Sequence, residues 1–186
     1  MALAALEMED LPHYTYDDYA QWDGHWEVIN GIPYAMVPSP TRKHQRLSLK
    51  IAAQLDALLA NCNYENCTAY LPVDWQITED TIVQPDVLVV CDENPDNTRL
   101  TVPPVLVFEI LSPSTAHKDR GLKYRLYEEA GVTYYCIVDP DTKSAEVYQL
   151  RGTRYGAKEE FTDGKMAFEI GACTISFDFN SVFKEG

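Results

Sequence analysis

Two short apolar runs, each with one acidic residue inside it, constrain the fold of this chain more than any other feature. Ile82–Cys91 contains Asp86 and Val105–Leu111 contains Glu109, and most of the surrounding residues are Val, Ile, Leu or Phe. Runs of this kind are typical of β-strands that are buried on both faces of a sheet. An ionised carboxylate in such a strand must be paired, hydrogen-bonded or bound to a metal, or its pKa must rise. The sequence therefore predicts a covered central sheet that holds two acidic side chains.

Helix and hairpin patterns surround these strands. Asn30-Gly31 between two apolar stretches predicts a tight hairpin, and apolar residues that recur every three or four positions predict a helix over 40–61. The other predicted elements are a helix near 16–22, strands at Thr68–Ile77, Ile82–Cys91 and Val105–Leu111, a helix over 115–130 ending at Gly131, strands at Val132–Asp139 and Ala145–Leu150, and edge strands in the tail. With 186 residues, this order predicts a single mixed α+β domain spanning residues 1–186.

Glu27 and Lys123 are two further charged residues in positions where charge is costly, in a predicted strand and on a predicted helix face. Each candidate has an ordinary structural alternative. Asp86 suits a strand start where a carboxylate binds nearby N–H groups, and Glu27 suits an exposed edge strand. Lys123 suits a surface pair with Asp119, one helical turn earlier. This alternative is weakest for Glu109, because acidic residues are rarely fully buried unless they are paired.

Two carboxylates on neighbouring strands suit a hard cation such as Mg²⁺. This ion takes oxygen ligands from one or two carboxylates, with water and substrate phosphates filling the other positions. A bound ion of this type polarises a phosphodiester and lowers the pKa of a bound water. A nearby Lys stabilises the charge that develops in the transition state. The pattern therefore favours phosphodiester hydrolysis.

The motifs around these residues resemble a large bacterial family of restriction-endonuclease-like proteins, the Uma-two type, within the PD-(D/E)XK phosphodiesterase superfamily. The resemblance covers roughly residues 15–180. The matching residues are Trp26-Glu-Val-Ile-Asn-Gly31, Pro38-Ser-Pro40, His44-Gln45, Pro85-Asp86, Glu109-Ile-Leu-Ser-Pro-Ser-Thr115, the spaced Asp119, Lys123, Tyr127 and Gly131, and Ile137-Val-Asp-Pro140.

The resemblance implies an αβββαβ core, restriction-endonuclease-like, with a central mixed sheet flanked by helices. It also implies DNA cleavage that depends on Mg²⁺ or Mn²⁺. In that scheme Asp86 and Glu109 bind the metal together with the backbone carbonyl of Ile110, and Glu27 is a further acid of the site.

The superfamily usually places a Lys two residues after the second acid, and this chain has Leu111 there. The resemblance implies that Lys123, on the following helix, takes over that role. Asp119, one turn earlier, is then expected to hold the Lys123 ammonium in place.

The distribution of charge bears on a nucleic-acid partner. The chain has 15 basic and 29 acidic residues, a net charge of −14, which argues against a protein that coats DNA without specificity. Eight of the basic residues, however, fall within 42–50 and 118–125, and the ordinary interpretation of such stretches is a solvated helix face. In a nuclease, the residues expected to contact DNA backbone phosphates, which position a duplex without reading its sequence, are Arg42, Lys43, Arg46, Lys118 and Arg120.

The five cysteines and the N-terminal sequence bear on the cellular compartment. The odd number and the lack of a secretory signal predict reduced thiols in the cytoplasm, with Cys91 and Cys136 acting as small core residues. No apolar run approaches the ~20 residues that cross a bilayer, so no membrane association is expected. The scattered His and Cys residues also argue against a structural zinc site.

Three classes of function remain open from the sequence. The leading one is a metal-dependent endonuclease, expected to act as a homodimer. The second is a catalytically inactive nuclease-fold module that binds nucleic acid or a protein partner, although a dead copy has no need to retain buried charges. The third is a serine hydrolase that uses Ser112 or Ser114 with His117. It is disfavoured because the chain has no G-x-S-x-G elbow and these Ser residues suit helix caps.

Overall fold

The computed structural model describes residues 12–36, 40–62, 66–91, 98–113 and 115–184. Three residues of the motifs above, Pro38, Ser39 and Ser114, lie outside the described residues. The described elements are α1 (Tyr16–Tyr19), β1 (Trp26–Ile29), β2 (Ile32–Ala35), α2 (Arg42–Leu59), β3 (Cys67–Tyr70), β4 (Trp75–Thr78), β5 (Thr81–Val83), β6 (Val87–Cys91), β7 (Leu106–Ile110), α3 (Ala116–Lys118), a π-helical turn (Asp119–Lys123), α4 (Tyr124–Ala130), β8 (Tyr134–Asp139), β9 (Ser144–Arg151), β10 (Arg154–Tyr155), β11 (Glu159–Phe161), β12 (Lys165–Ile170), β13 (Cys173–Asp178) and α5 (Phe179–Phe183).

A large mixed sheet forms the centre of the molecule, in the order β10-β9-β8-β7-β6-β3, with β11 also paired to β9. β7 and β8 run parallel, and the helical segment 116–130 connects them. The remaining neighbours in this sheet are antiparallel. Every residue of β7 is buried, as the apolar run predicts. The mixed α+β fold predicted from the sequence is therefore confirmed.

The two faces of the large sheet are covered by different helices. Side chains of Leu106, Phe108 and Ile110 lie in the same core cluster as the apolar face of α2. The alternate residues face the other way, where Val107 of β7 and Leu111, just after the strand, share a cluster with Tyr127 of α4. Successive side chains of a strand alternate between faces, so Glu109 points towards the α4 side.

A second, smaller sheet has the order β2-β1-β5-β4. Its β1–β2 hairpin turns at Asn30 and Gly31, whose φ angles of 52° and 74° are those of a type I′ turn. The predicted hairpin is confirmed. A single strand over Ile82–Cys91 was the wrong interpretation, since β5 ends at Val83 and belongs to the small sheet, whereas β6 begins at Val87 in the large one. Pro85 separates them because it has no N–H to donate to a ladder.

Other predicted elements differ at their ends or divide. The predicted strand Thr68–Ile77 is two strands in different sheets, β3 and β4, separated at Pro72. The helix predicted near 16–22 ends at Tyr19. The tail adds β10 and β11 to an edge, as predicted, but β12 and β13 form a separate hairpin that packs into the α2-side core.

The cysteines differ from the prediction of reduced thiols. Cys62 pairs with Cys173, and Cys67 pairs with Cys91 across adjacent strands. Cys91 is therefore a disulfide partner at the end of β6, while Cys136 is free and buried as predicted. Spacing along the chain does not show which cysteines meet, because both pairs are formed by tertiary and cross-strand contacts.

In the described residues, no helix combines the length and apolar character that crossing a bilayer requires.

Candidate active site

Asp86 and Glu109 lie at the same end of β6 and β7. The two strands are antiparallel, with Val87 opposite Phe108. Asp86 lies in the bend directly before β6, and Glu109 directly follows Phe108 in β7. Burial and the nearby charge of Asp86 both raise the pKa of Glu109. The fold therefore brings the two predicted acids together, although they are 23 positions apart in the chain.

The Asp86 carboxylate is held at the end of the ladder by two neighbours. Its Oδ2 accepts a hydrogen bond of 2.7 Å from the backbone N–H of Ile110 and lies 3.1 Å from Nε2 of His44. Burial lowers the pKa of His44, but the hydrogen bond and the charge of Asp86 outweigh this effect and raise it. The N–H and C=O of one strand residue point to the same side of the strand. The Ile110 carbonyl is therefore directed towards the same edge as Asp86.

Glu109 is enclosed by donors from the following helical segment. Its Oε1 accepts a 2.7 Å hydrogen bond from the Tyr127 hydroxyl and a 2.8 Å one from Nζ of Lys123. Only 3% of Glu109 is exposed. Burial raises the pKa of Glu109, the Lys123 ammonium opposes the rise, and the Asp86 charge adds to it.

Lys123 joins Glu109 to Glu27 from the small sheet. Its Nζ lies 2.7 Å from Oε1 of Glu27, and the other Glu27 oxygen pairs with Lys118. Glu27 is fully buried and also accepts a hydrogen bond from the backbone N–H of Gln84. Burial raises the pKa of Glu27, but the two ammonium groups outweigh it and hold the pKa below its ordinary value. Glu27 is thus a buried partner of the lysines and not a residue of an exposed edge.

The π-helical turn Asp119–Lys123 determines how Lys123 is presented. This turn carries i→i+5 hydrogen bonds, and turns of this kind are frequent at functional sites. The Tyr135 hydroxyl donates to the Asp119 carbonyl at 2.9 Å, which anchors the start of the turn to β8. Among the described residues, Lys123 makes its ion pairs with Glu27 and Glu109. Burial lowers the Lys123 pKa, and the charges of Glu109, Glu27 and Asp119 raise it. In the described part of the chain no ion pair joins Lys123 to Asp119, so the expected direct pair is not formed.

The residues predicted to contact DNA phosphates fall into two groups. Arg42 and Arg46 are exposed on α2. The other three pair with acids of the protein itself, since Lys43 binds Asp141, Lys118 binds Glu27 and Arg120 binds Glu146. Lys118 is therefore part of the buried charge network.

His44 is a residue of this site that the sequence patterns do not single out, because it occurs only within the His44-Gln45 motif. The local signal was present: Leu47, Ser48 and Ile51 are buried on α2, and residue 44 lies one turn before them on the same face. Its other ring nitrogen, Nδ1, is buried and has no hydrogen-bond partner among the described residues.

The serine hydrolase alternative gains no support from the geometry. The Ser112 hydroxyl lies 3.1 Å from Oγ1 of Thr115, and the Ser112 carbonyl accepts a hydrogen bond from the N–H of Ala116. His117 is exposed. The N-cap of α3 is Thr115, whose side chain makes no capping hydrogen bond, so Ser112 belongs to the turn that precedes the helix.

The oxygen atoms at this site suit a hard cation that takes only some of its ligands from the protein. Among the described residues there is no cluster of three or more His, Cys, Asp or Glu side chains arranged to bind a metal. Two carboxylates and a backbone carbonyl are oxygen donors, however, and Mg²⁺ is usually held by one or two carboxylates with water completing its shell. Asp86, Glu109 and the Ile110 carbonyl fit that requirement.

Comparison with known proteins gives a consistent result. The family model Uma2, described as "Putative restriction endonuclease", matches residues 14–169. An uncharacterised protein of Synechocystis sp., slr1290, is 30% identical over 148 residues, which cover 74% of this chain and 75% of that protein. A second one, sll1609, is 28% identical over 134 residues, covering 69% and 73%.

A solved structure shares the fold. It is a crystal structure from Anabaena variabilis, described as "a putative nuclease belonging to DUF820". It matches with a TM-score of 0.74 and 18% identity, covering 91% of this chain and 97% of that one. At this level of identity the likeness concerns the fold.

Proposed function

This chain belongs to the Uma2 family, and from that membership we propose that it is an endonuclease that uses Mg²⁺ or Mn²⁺ to hydrolyse phosphodiester bonds in DNA. One observation carries the proposal. Two neighbouring carboxylates, Asp86 and Glu109, lie at a strand end with a buried ammonium, Lys123, bonded to one of them. This combination of oxygen ligands and a fixed cation suits a reaction that develops negative charge on phosphate oxygens.

The metal would be held by Asp86, Glu109 and the Ile110 carbonyl. When bound, it supplies Lewis acidity and a more acidic water for attack on the phosphodiester. The Ile110 N–H and His44 fix one oxygen of Asp86. The Tyr127 hydroxyl and Lys123 fix one oxygen of Glu109. Each acid is therefore oriented before a ligand arrives, which lowers the cost of assembling the site.

Lys123 supplies positive charge beside the position of the phosphate. Its long stem allows the ammonium to reach Glu109 from the helix. One oxygen of Glu27 pairs with the Lys123 ammonium, and the other oxygen pairs with Lys118. Both Glu27 oxygens are occupied by lysines, which supports a positioning role for Glu27 in preference to metal ligation.

Contacts to the DNA backbone are proposed for Arg42 and Arg46, which are exposed in the first turns of α2, the helix that also carries His44. Lys43 and Arg120 can contribute only by exchanging their present partners, Asp141 and Glu146. A homodimer would present two such sites to the two strands of a duplex.

A second candidate function is a catalytically inactive module that binds nucleic acid or a protein. The observation in its favour is that Oε1 of Glu109 already accepts two hydrogen bonds, one from Lys123 and one from the Tyr127 hydroxyl. A charge network that is balanced internally can serve stability alone.

The two functions are distinguished by plasmid cleavage and metal-binding calorimetry with the purified protein. We expect conversion of supercoiled plasmid to nicked and linear DNA with Mg²⁺ or Mn²⁺, and none with EDTA. Asp86→Ala should lose both cleavage and metal binding. Glu169→Ala, which removes an exposed carboxylate on β12, is the matched control and should keep both. DNA binding without cleavage under any metal would favour the inactive module.

A further inference from the structure

Two hydrogen-bond donors hold the same oxygen of Asp86. A carboxylate oxygen has about two lone-pair sites. At Oδ2 of Asp86, the Ile110 N–H donates to one site at 2.7 Å, and Nε2 of His44 lies 3.1 Å away. The His44 ring donates through Nε2, because a carboxylate can only accept. Both sites of Oδ2 are therefore occupied, and Oδ1 is the atom that Asp86 can offer to a cation.

Glu109 is held in the same way. Its Oε1 accepts a 2.7 Å hydrogen bond from the Tyr127 hydroxyl and a 2.8 Å one from Nζ of Lys123. Lys123 is fixed in turn by Glu27, whose Oε1 lies 2.7 Å from the same ammonium. Tyr127 is fully buried and packs against Trp75, with ring centroids 5.6 Å apart. Both donors are thus fixed in place, and Glu109 is left with Oε2 for a cation.

Neither acid can therefore bind a cation through both of its oxygens. Mg²⁺ requires near-ideal octahedral geometry and keeps several of its waters, so single oxygens from two carboxylates are enough. Ca²⁺ takes about six to eight oxygen ligands, and carboxylates that bind through both oxygens help to reach that number. Oδ1 of Asp86, Oε2 of Glu109 and the Ile110 carbonyl suit the smaller ion and provide too few ligands for Ca²⁺.

Resting on the metal-dependent function proposed above, we infer that His44 makes this site select Mg²⁺ and Mn²⁺ against Ca²⁺. His44 is a positioning residue that acts through Asp86, because its bond to Oδ2 confines the acid to one ligating oxygen. The His44 side chain is 13% exposed, and its Nδ1 has no hydrogen-bond partner in the part of the chain that the structure describes. Asp86 is thus the polar partner for which this ring is placed.

Competition between ions measures the selectivity without cleavage. Mn²⁺ is added to the full chain, free Mn²⁺ is measured by electron paramagnetic resonance, and Mg²⁺ or Ca²⁺ is then titrated in. A chain with a net charge of −14 also attracts the ion elsewhere, so the Mn²⁺ counted is that bound by the wild type and not by Asp86→Ala. We expect Mg²⁺ to displace it at a lower concentration than Ca²⁺ does. Displacement by Ca²⁺ at an equal or lower concentration would overturn the inference.

Variants then assign the selectivity to His44. Loss of a residue that orients a metal ligand lowers metal affinity about 10- to 100-fold, so Mg²⁺ should bind His44→Leu more weakly by that factor. Ca²⁺ should lose less, because Asp86 can then offer both oxygens. His44→Gln, whose amide can donate to the same oxygen, should restore most of the difference between the ions. His117→Leu, at an exposed histidine, is the matched control and should match the wild type.

The ratio of the two displacement midpoints separates selection from a structural role. A structural role alone would weaken both ions equally, so an unchanged ratio in His44→Leu would overturn the inference. Unfolding curves by circular dichroism for each variant show that any loss of binding is not a loss of fold.

The two proposals fail in different ways. The expected selectivity without plasmid cleavage would retain the role of His44 at a metal site and reject the nuclease. Plasmid cleavage by a site that Ca²⁺ occupies as readily as Mg²⁺ would retain the nuclease and reject the role of His44. Equal Mn²⁺ binding by the wild type and Asp86→Ala would reject both.

Discussion

The ammonium of Lys123 lies between two buried carboxylates, and this arrangement makes the site both ordered and costly. The Lys123 side chain is only 3% exposed and pairs with Glu27 and Glu109. Removing charges from water is expensive, and only close partners with good geometry compensate for it. The three residues therefore stabilise the fold as a set, and each depends on the presence of the others.

Replacing Lys123 with Met should lower both stability and activity. The change leaves two carboxylates buried without their cation, which costs about 3–5 kcal/mol for a broken buried pair. Urea unfolding measures the loss. The double variant Lys123→Met with Glu27→Gln should recover part of it, because one of the uncompensated charges is gone. An unchanged unfolding free energy in the single variant would contradict this account of the network.

Glu27 should make stability sensitive to acid. Its pKa in the folded protein is below the ordinary value of 4.5, because Lys123 and Lys118 outweigh the effect of burial. The stability it contributes is therefore fully present above pH 4.5 and is lost as the pH falls through the lowered folded pKa. Glu27→Gln should be less stable at pH 7 and should lose less stability than the wild type between pH 5 and pH 3. Parallel urea curves across that range provide the test, and identical pH profiles would argue against it.

At the scale of elements, the acids were predictable and the break between the sheets was not. Asp86 and Glu109 were identified because an acid inside an apolar run is a local signal. The run itself gave no indication that β5 and β6 belong to different sheets, since both are apolar and buried. Strand partners are chosen by tertiary contacts that a single run does not encode. Pro85 was the available signal, because Pro seldom occurs inside a central strand.

The π-helical turn was also beyond the reach of the sequence pattern, which predicted a regular helix over 115–130. A π turn holds more residues than an α turn, so the side chains after it are rotated about the helix axis. Deleting Gly121 should restore a regular helix and turn Lys123 away from Glu109. We expect a folded protein that has lost plasmid cleavage.

Gly121→Ala is the matched control for that deletion. A methyl group at Gly121 would meet no atom of another element within 4 Å, and Ala is favoured over Gly in helices by about 1 kcal/mol. This variant should keep its activity and melt at the same temperature or higher. Retained cleavage after the deletion would show that the turn does not set the position of Lys123.

For the molecule as a whole, long-range covalent links were the least predictable feature. Cys62 and Cys173 are separated by 111 positions, and the bond ties the region just after α2 to the β12–β13 hairpin. The contact of His44 with Asp86, 42 positions away, also joins residues that are distant in the chain. Both arise where α2 packs on the sheet, and only the assembled fold brings these residues together.

Loss of the Cys62–Cys173 bond should lower thermal stability. Closing a loop of about 100 residues is worth roughly 4.7 kcal/mol in the chain-entropy model. In a domain of this size that corresponds to a melting temperature lower by about 10–20 °C. The double variant Cys62→Ser with Cys173→Ser, measured by calorimetry, tests this. The Cys67–Cys91 pair closes a shorter loop, with a separation of 24, and its removal should have a smaller effect. A melting temperature unaffected by reductant would contradict both expectations.

The hydrogen bond between Asp86 and the Ile110 N–H has a consequence for spectroscopy. In most strands such an amide would be matched to a backbone carbonyl, but here its acceptor is the carboxylate proposed to hold the metal. The chemical shift and solvent-exchange rate of that single amide proton depend on the charge of its acceptor. In an NMR spectrum, the Ile110 resonance would thus report the state of Asp86 continuously, without an added label and without turnover.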